Sequence, residues 1–181
     1  PHKKYLNDYF TGKWQDSVSR GELYNEDLVT GDARFCGTTA SMCGVEKAGF
    51  EQDEEATDAA IQMDVMLHAY MLFLSGIPML YSGDEIGQVN DYTYKNDPNK
   101  AADSRYIHRG KFQWNLVDNI GHPDTVQGKL FGRLDQLEKI RGQEKAFDAS
   151  AGFWTLETWD NAVLGLAREG KDGKLVGLFN F

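Results

Sequence analysis

The 181 residues carry 19 Lys and Arg against 28 Asp and Glu, a formal net charge of −9. That balance argues against a nucleic-acid binder, which needs a basic face to neutralise phosphates. A content of 41% hydrophobic and 26% charged residues predicts an ordered globular core, in a length that suits one domain or one and a half. No run of about twenty apolar residues occurs, so no membrane span is expected, and residues 1–4 lead into no apolar stretch of the signal-peptide kind.

In chain order, residues 1–10 read as a helix already under way, with Tyr5, Leu6, Tyr9 and Phe10 at helical spacing. Residues 13–34 are rich in Gly, Asp and Ser and read as an irregular loop. Gly37 to Glu46 suits a short helix or turn, its small residues allowing close packing. Cys36 and Cys43, the two cysteines, match no zinc spacing. They read as buried thiols in a reducing compartment, which points to the cytoplasm. The acidic run Glu51 to Glu55 suits the positive end of a following helix.

Thr57 to Leu74 is the strongest predicted helix, with Thr57 as its cap. Ile61, Val65, Ala69, Leu72 and Phe73 mark one face, and Met66, Tyr70 and Met71 widen it until little polar surface remains. Such a helix is buried on most sides, and His68 within it reads as a core histidine. Gly76 ends the helix, and Pro78 cannot continue it. Ile77 to Tyr81 then predicts a short, fully apolar strand, so that helix, turn and strand form the αβ half of a βαβ unit.

Ser82 to Asp124 is a long loop with local turns, a length usually reserved for function. Val126 to Arg141 predicts a second amphipathic helix, with Leu130, Leu134, Leu137 and Ile140 inward. Beyond Gly142 the short strands Phe153 to Leu156, Val163 to Ala167 and Leu175 to Phe179 are separated by the turn signals Asp160-Asn161 and Lys171-Asp172-Gly173. They predict an antiparallel β domain. A helix open at the start and a strand open at the end predict a fragment of a larger polypeptide.

The candidate chemistry sits in the loops. Asp84 and Glu85 follow the apolar strand and read best as ties at the strand–loop junction. Arg105, beside Asp103, Tyr106 and His108, can hold a carboxylate in two-pronged fashion and still donate to hydroxyls. Arg34 lies in a turn of small residues that could aim it into a cleft. Trp14, Tyr24, Tyr92, Tyr94, Tyr106 and Trp114 could stack on sugar faces or simply cover a core. His2, His68, His108 and His122 have no metal-like spacing, and no metal or cofactor is expected.

Three segments carry a resemblance: Thr30 to Thr38; Gly76-Ile77-Pro78-Met79-Leu80-Tyr81-Ser82-Gly83-Asp84-Glu85-Ile86-Gly87 with Asn90-Asp91; and Asp97 to Arg109, ending Asp103-Ser104-Arg105-Tyr106-Ile107-His108-Arg109. In order and with few gaps, they resemble the α-amylase family of glycoside hydrolases, in its amylosucrase and sucrose-hydrolase branch. The resemblance implies an α/β fold. Residues 1–145 would be the C-terminal part of a (β/α)8 TIM barrel, with Ile77 to Tyr81 as its eighth strand. Residues 146–181 would begin an incomplete antiparallel β domain. A complete barrel takes about 250 residues.

The resemblance also implies a retaining mechanism acting on sucrose, with an α-glucan, an oligosaccharide or water as acceptor. The nucleophilic Asp, the acid/base Glu and a third Asp would lie upstream of this chain, in a missing N-terminal barrel segment, so the chain alone is expected to be inactive. Arg105, beside Asp103 in this chain, matches an arginine that pairs with an Asp at the base of the glucose pocket, an Asp that would also lie upstream, and Arg34 matches one on the fructose or acceptor side. Lys3 and Tyr5 fall where amylosucrases have an arginine and a phenylalanine near the acceptor path, a departure that bears on transfer against hydrolysis. Other activities of the family (α-glucosidase, sucrose phosphorylase, trehalose-forming mutase) and a non-catalytic carbohydrate-binding or assembly module are the alternatives. Exposed strand edges would favour homo-oligomers.

Overall fold

The computed structural model describes residues 2–181, which divide into two compact units. The first comprises residues up to 64 together with 81–130, and the second comprises 65–80 with 131–181.

The first unit opens with helix α1 (His2–Phe10), as its spacing predicts. The residues expected to form an irregular loop instead supply strand β1 (Glu22–Tyr24) and run into β2 (Arg34–Cys36), an antiparallel pair in which Tyr24 lies opposite Arg34. Helix α1 holds the connection between them: Asn7 Nδ2 donates to the Gly31 carbonyl at 3.0 Å, and Phe10 packs its ring 4.7 Å from that of Phe35. Helix α2 (Thr39–Cys43) starts at a Thr38 cap, whose Oγ1 accepts from the Ser41 N–H. It ends at Gly44, where φ is 106° and a Cβ would lie 3.0 Å from Val18 Cβ, so only glycine fits without strain. Helix α3 (Val45–Glu51) follows.

Helix α4 (Glu54–Phe73) begins three residues before the predicted start. Asp53, not Thr57, is its cap: Asp53 Oδ1 accepts the Ala56 N–H at 2.9 Å, while the Thr57 hydroxyl bonds back to the Asp53 carbonyl. The long polar loop is built from 3-10 turns at Asp84–Ile86, Tyr92–Asn96 and Ser104–His108, and a short helix α5 (Trp114–Val117). Buried Asn90 joins this loop to the start of the chain. Its Oδ1 accepts from Thr38 N (2.8 Å), its Nδ2 donates to the Arg20 carbonyl (2.6 Å), and its own N–H donates to Ser41 Oγ (2.9 Å). A local core of Cys36, Tyr94 and Ile107, with Tyr24 and Tyr106 against it, fixes the 104–108 turn onto the hairpin.

In the second unit, helix α6 (Val126–Gln143), which starts in the first unit, leads to a 3-10 turn at Lys145–Phe147. The three predicted strands follow: β3 (Gly152–Leu156), β4 (Val163–Gly170) and β5 (Gly173–Asn180), antiparallel in that order. Phe73, Leu166 and Phe179 form the core. Arg168 is buried at 1% exposure and makes no ion pair with a carboxylate among the described residues. Its Nε donates to the Ala146 carbonyl (2.7 Å), its Nη1 to the Phe73 carbonyl and Ser75 Oγ (3.1 Å each), and the rings of Phe147 and Phe153 flank it. Arg141 donates to the carbonyls of Leu72 and Gly76. Two cations thus satisfy carbonyls that the end of α4 leaves unpaired.

The expected strand at Ile77 to Tyr81 is not formed. The segment is neither helix nor strand, its backbone at 77–80 makes no hydrogen bond among the described residues, and Ile77 and Met79 are 88% and 78% exposed. A strand in a barrel needs neighbours on both edges. The described residues form two small antiparallel sheets and supply none for this segment.

Candidate functional site

The 104–108 turn presents Arg105. Asp103 caps that turn, its Oδ1 accepting from the Arg105 N–H at 3.0 Å. The same carboxylate grips the guanidinium side-on, with Oδ1 to Nε at 2.8 Å and Oδ2 to Nη2 at 2.7 Å. This contact, with the backbone N–H of Arg105, pulls the Asp103 carboxyl down to about 2 and raises the guanidinium pKa. The guanidinium also lies over the Tyr24 ring, 4.4 Å from its centre, in the geometry of a cation–π contact.

Tyr24 is the residue that sequence reasoning left among the general loop aromatics. It links the two predicted arginines, because Arg34 stands opposite it across the ladder while Arg105 covers its ring. The signal that could have found it is a hairpin placing an aromatic directly opposite an arginine. Ser104 secures the turn to β1 by donating to the Leu23 carbonyl at 2.8 Å. Next to Tyr24, Glu22 accepts from the Tyr94 hydroxyl and pairs with Lys95. Burial, and then the Glu22 carboxylate, push the Tyr94 hydroxyl pKa upward, so it stays a donor.

Tyr5 is not part of this group. Its ring neighbours are Trp14, edge-on at 5.1 Å, and Tyr9. Lys3 pairs with Asp32 at 2.5 Å in the connection between β1 and β2. Asp84 and Glu85 tie the junction as expected: Asp84 Oδ2 accepts from Tyr81 N at 3.1 Å, and Glu85 Oε2 from Gly83 N at 2.8 Å. His108 meets the Tyr81 ring edge-on at 5.7 Å. Its Nδ1 is buried without a hydrogen bond among the described residues, and burial, then Arg109, lower its pKa. Cys36 and Cys43 are buried free thiols, both pushed up by burial and therefore poor nucleophiles.

Arg105 thus lies over the Tyr24 ring with Nε and Nη2 held by Asp103, and exposed Arg34 stands opposite Tyr24 on the paired strand. Among the described residues no group of His, Cys, Asp and Glu could hold a metal ion, and no helix is long and apolar enough to cross a membrane.

No protein-family model matches the chain. It is 27% identical, over 118 residues, to the glucosylglycerate phosphorylase of Escherichia coli (strain K12). Those residues are 64% of this chain and 20% of that protein, so the match spans about a fifth of the relative's length. The distant likeness fits a glucoside-processing, glycosyl-transferring enzyme.

Proposed function

We propose that this chain forms the C-terminal part of a retaining, α-glucoside-cleaving enzyme similar to amylosucrase. In this reading an Asp outside the chain attacks the anomeric carbon of the glucose unit of sucrose. A Glu, also outside it, protonates the departing fructose. The Glu then activates a glucan hydroxyl or water, and the α configuration is retained. Arg105 orients groups at the closed end of the glucose pocket, with Asp103 and Tyr24 holding its guanidinium in one plane. Arg34 serves the fructose or acceptor side. The segment 77–81 would take its place as a barrel strand between strands supplied by the rest of the polypeptide.

The observation that carries this reading is Tyr24 on the hairpin, with Arg34 opposite it in the ladder and Arg105, on the 104–108 turn, over its ring. The likeness to a glucosylglycerate phosphorylase supports its coarser part, glucosyl transfer. It also favours a second reading, in which inorganic phosphate takes the acceptor's place and the product is glucose 1-phosphate.

The test uses the polypeptide in which this chain is joined to its upstream barrel segment. Sucrose, with and without phosphate, is followed for fructose, glucose and glucose 1-phosphate. Fructose release without phosphate supports the first reading. Glucose 1-phosphate formed only with phosphate, from sucrose or glucosylglycerate, supports the second. No glucosyl transfer from either donor would sink both. The 181-residue chain alone is expected to turn over neither.

A further inference from the structure

Helices α3 and α4 border an apolar groove of about 300 Å³ in the first unit. On α3 and its glycine cap the groove is lined at 44, 47, 48 and 51, and on α4 at 56, 59, 60 and 63. Each set follows the i, i+3, i+4, i+7 spacing of one helix face. The floor is small: Gly44, Ala48 and Ala60 are buried, and a Cβ at Gly44 would lie 3.6 Å from Ala60 Cβ. Val18, Ala59 and Met63 stay exposed along it.

The charges beside the groove are unequal. Lys47 turns its ammonium to the Ser17 carbonyl at 3.2 Å. Glu51 lines the groove, and Asp53, Glu54 and Glu55 follow in the turn into α4. All four carboxylates are exposed, and none enters an ion pair among the described residues.

We propose that this groove seats an amphipathic helix with a basic flank, supplied by the upstream barrel segment of the longer polypeptide. Two helix faces floored by small residues let a third helix approach closely and set its apolar anchors between them. A Lys or Arg on that helix neutralises the carboxylates at 51–55. A second copy of the chain does not fit, because facing grooves would bring two such acidic runs together in a protein of net charge −9. The relative matched over 20% of its length has ample further chain to supply a helix. In a (β/α)8 barrel the helices form an outer ring, so α4, the helix before the 77–81 run, would take neighbours from upstream. The inference rests on the barrel reading for the source of the helix, not for the groove.

Iodoacetamide labelling tests it, with Ala59→Cys as reporter and the labelled peptide quantified by mass spectrometry. Cys36 and Cys43 are buried and give little background. In the 181-residue chain the introduced thiol should label freely at every protein concentration. In the longer polypeptide it should label at least about tenfold more slowly, since a packed helix must open locally first. Met63→Cys, a smaller side chain on the same wall, repeats the test without overfilling the groove. Lys171→Cys, in an exposed turn of the second unit, should label alike in both proteins. Adding Glu51→Lys should speed Ala59→Cys labelling in the longer polypeptide about threefold, the effect of one partly exposed ion pair. It should leave the melting temperature of the 181-residue chain unchanged. Equal labelling of Ala59→Cys in the two proteins overturns the proposal. So does labelling of the 181-residue chain that slows as its concentration rises, which would assign the groove to a second copy. Protection that Glu51→Lys leaves intact overturns it too. A longer polypeptide that transfers glucose while position 59 labels freely removes this inference alone; one that protects position 59 without transferring glucose removes the glucoside reading alone.

Discussion

The guanidinium of Arg105 lies over the Tyr24 ring, 4.4 Å from its centre, while Asp103 holds its edge through two hydrogen bonds. A lysine cannot reproduce that planar, two-pronged arrangement. Arg105→Lys should therefore lower kcat/KM for the α-glucoside by about 10²-fold in the longer polypeptide, of the order that misplacing a positioning group costs. Tyr24→Ala should lower it less, because the Asp103 contact remains. The melting temperature should move little in either variant, since half-exposed ion pairs contribute little to stability. Steady-state kinetics beside thermal melts test this; an unchanged kcat/KM in Arg105→Lys would remove the residue from the site.

Arg168 is expected to be a keystone of the second unit. Replacing it with Met leaves the carbonyls of Ala146 and Phe73 buried without their donor. Hydrogen bonds to charged groups contribute about 1.5–3 kcal/mol each, so a loss of at least about 3 kcal/mol is expected. Urea unfolding measures it. A variant as stable as the parent would show that packing alone holds the end of α4, as happens for some buried ionic groups.

Asn90 uses both ends of its amide to join the loop to the start of the chain. Asn90→Leu should cost about 1–3 kcal/mol for each buried backbone group it strands. Asn90→Asp should be worse than its size suggests, since it turns a carboxylate oxygen toward the Arg20 carbonyl. Amide hydrogen exchange at Thr38 should accelerate in both variants; protection equal to the parent's would contradict the assignment.

Two groups set opposite ends of the acid profile. The Asp103 carboxyl is lowered to about 2, below its ordinary value of about 3.9. Its contribution is therefore complete above about pH 4 and is lost as pH falls from there through about 2. The His108 imidazole is also lowered, by burial first and then by Arg109, with Asp103 opposing. Because the unfolded chain takes up that proton first, stability declines as pH falls through about 6.5. His108→Phe should remove the upper slope and leave the lower one. A His108→Phe melting curve with the parent's slope between pH 7 and 5 would overturn this.

The exposed pair Ile77 and Met79 tests the barrel strand. In the 181-residue chain, Ile77→Asp/Met79→Asp should leave the melting temperature unchanged, because neither side chain is covered. It should also reduce self-association, if free edges pair between copies. Joined to the upstream segment, the same changes should prevent folding. An active, folded double variant there would mean that 77–81 is not a barrel strand.

The parts legible in the sequence are those whose signals are local. The β3–β4–β5 sheet follows from turn residues such as Lys171-Asp172-Gly173 beside apolar runs, and α4 and α6 follow from their apolar spacing. The hairpin of β1 and β2 was not legible. Each strand is three residues long, and nine intervening residues separate them. Their pairing depends on distant groups such as Asn7 and Ser104. Hence Arg34 and Arg105 were identified singly, by resemblance, whereas Tyr24 between them was not. The run 77–81 has the composition of a strand, but composition cannot provide the neighbours that strand pairing requires.

The most direct measurement is proton NMR of the first product formed from sucrose by the longer polypeptide. Early samples, taken before mutarotation, give the anomeric configuration. The account predicts an α-configured glucosyl product, and its loss in Arg105→Ala. A β-configured product, or formation at an undiminished rate in Arg105→Ala, would contradict it.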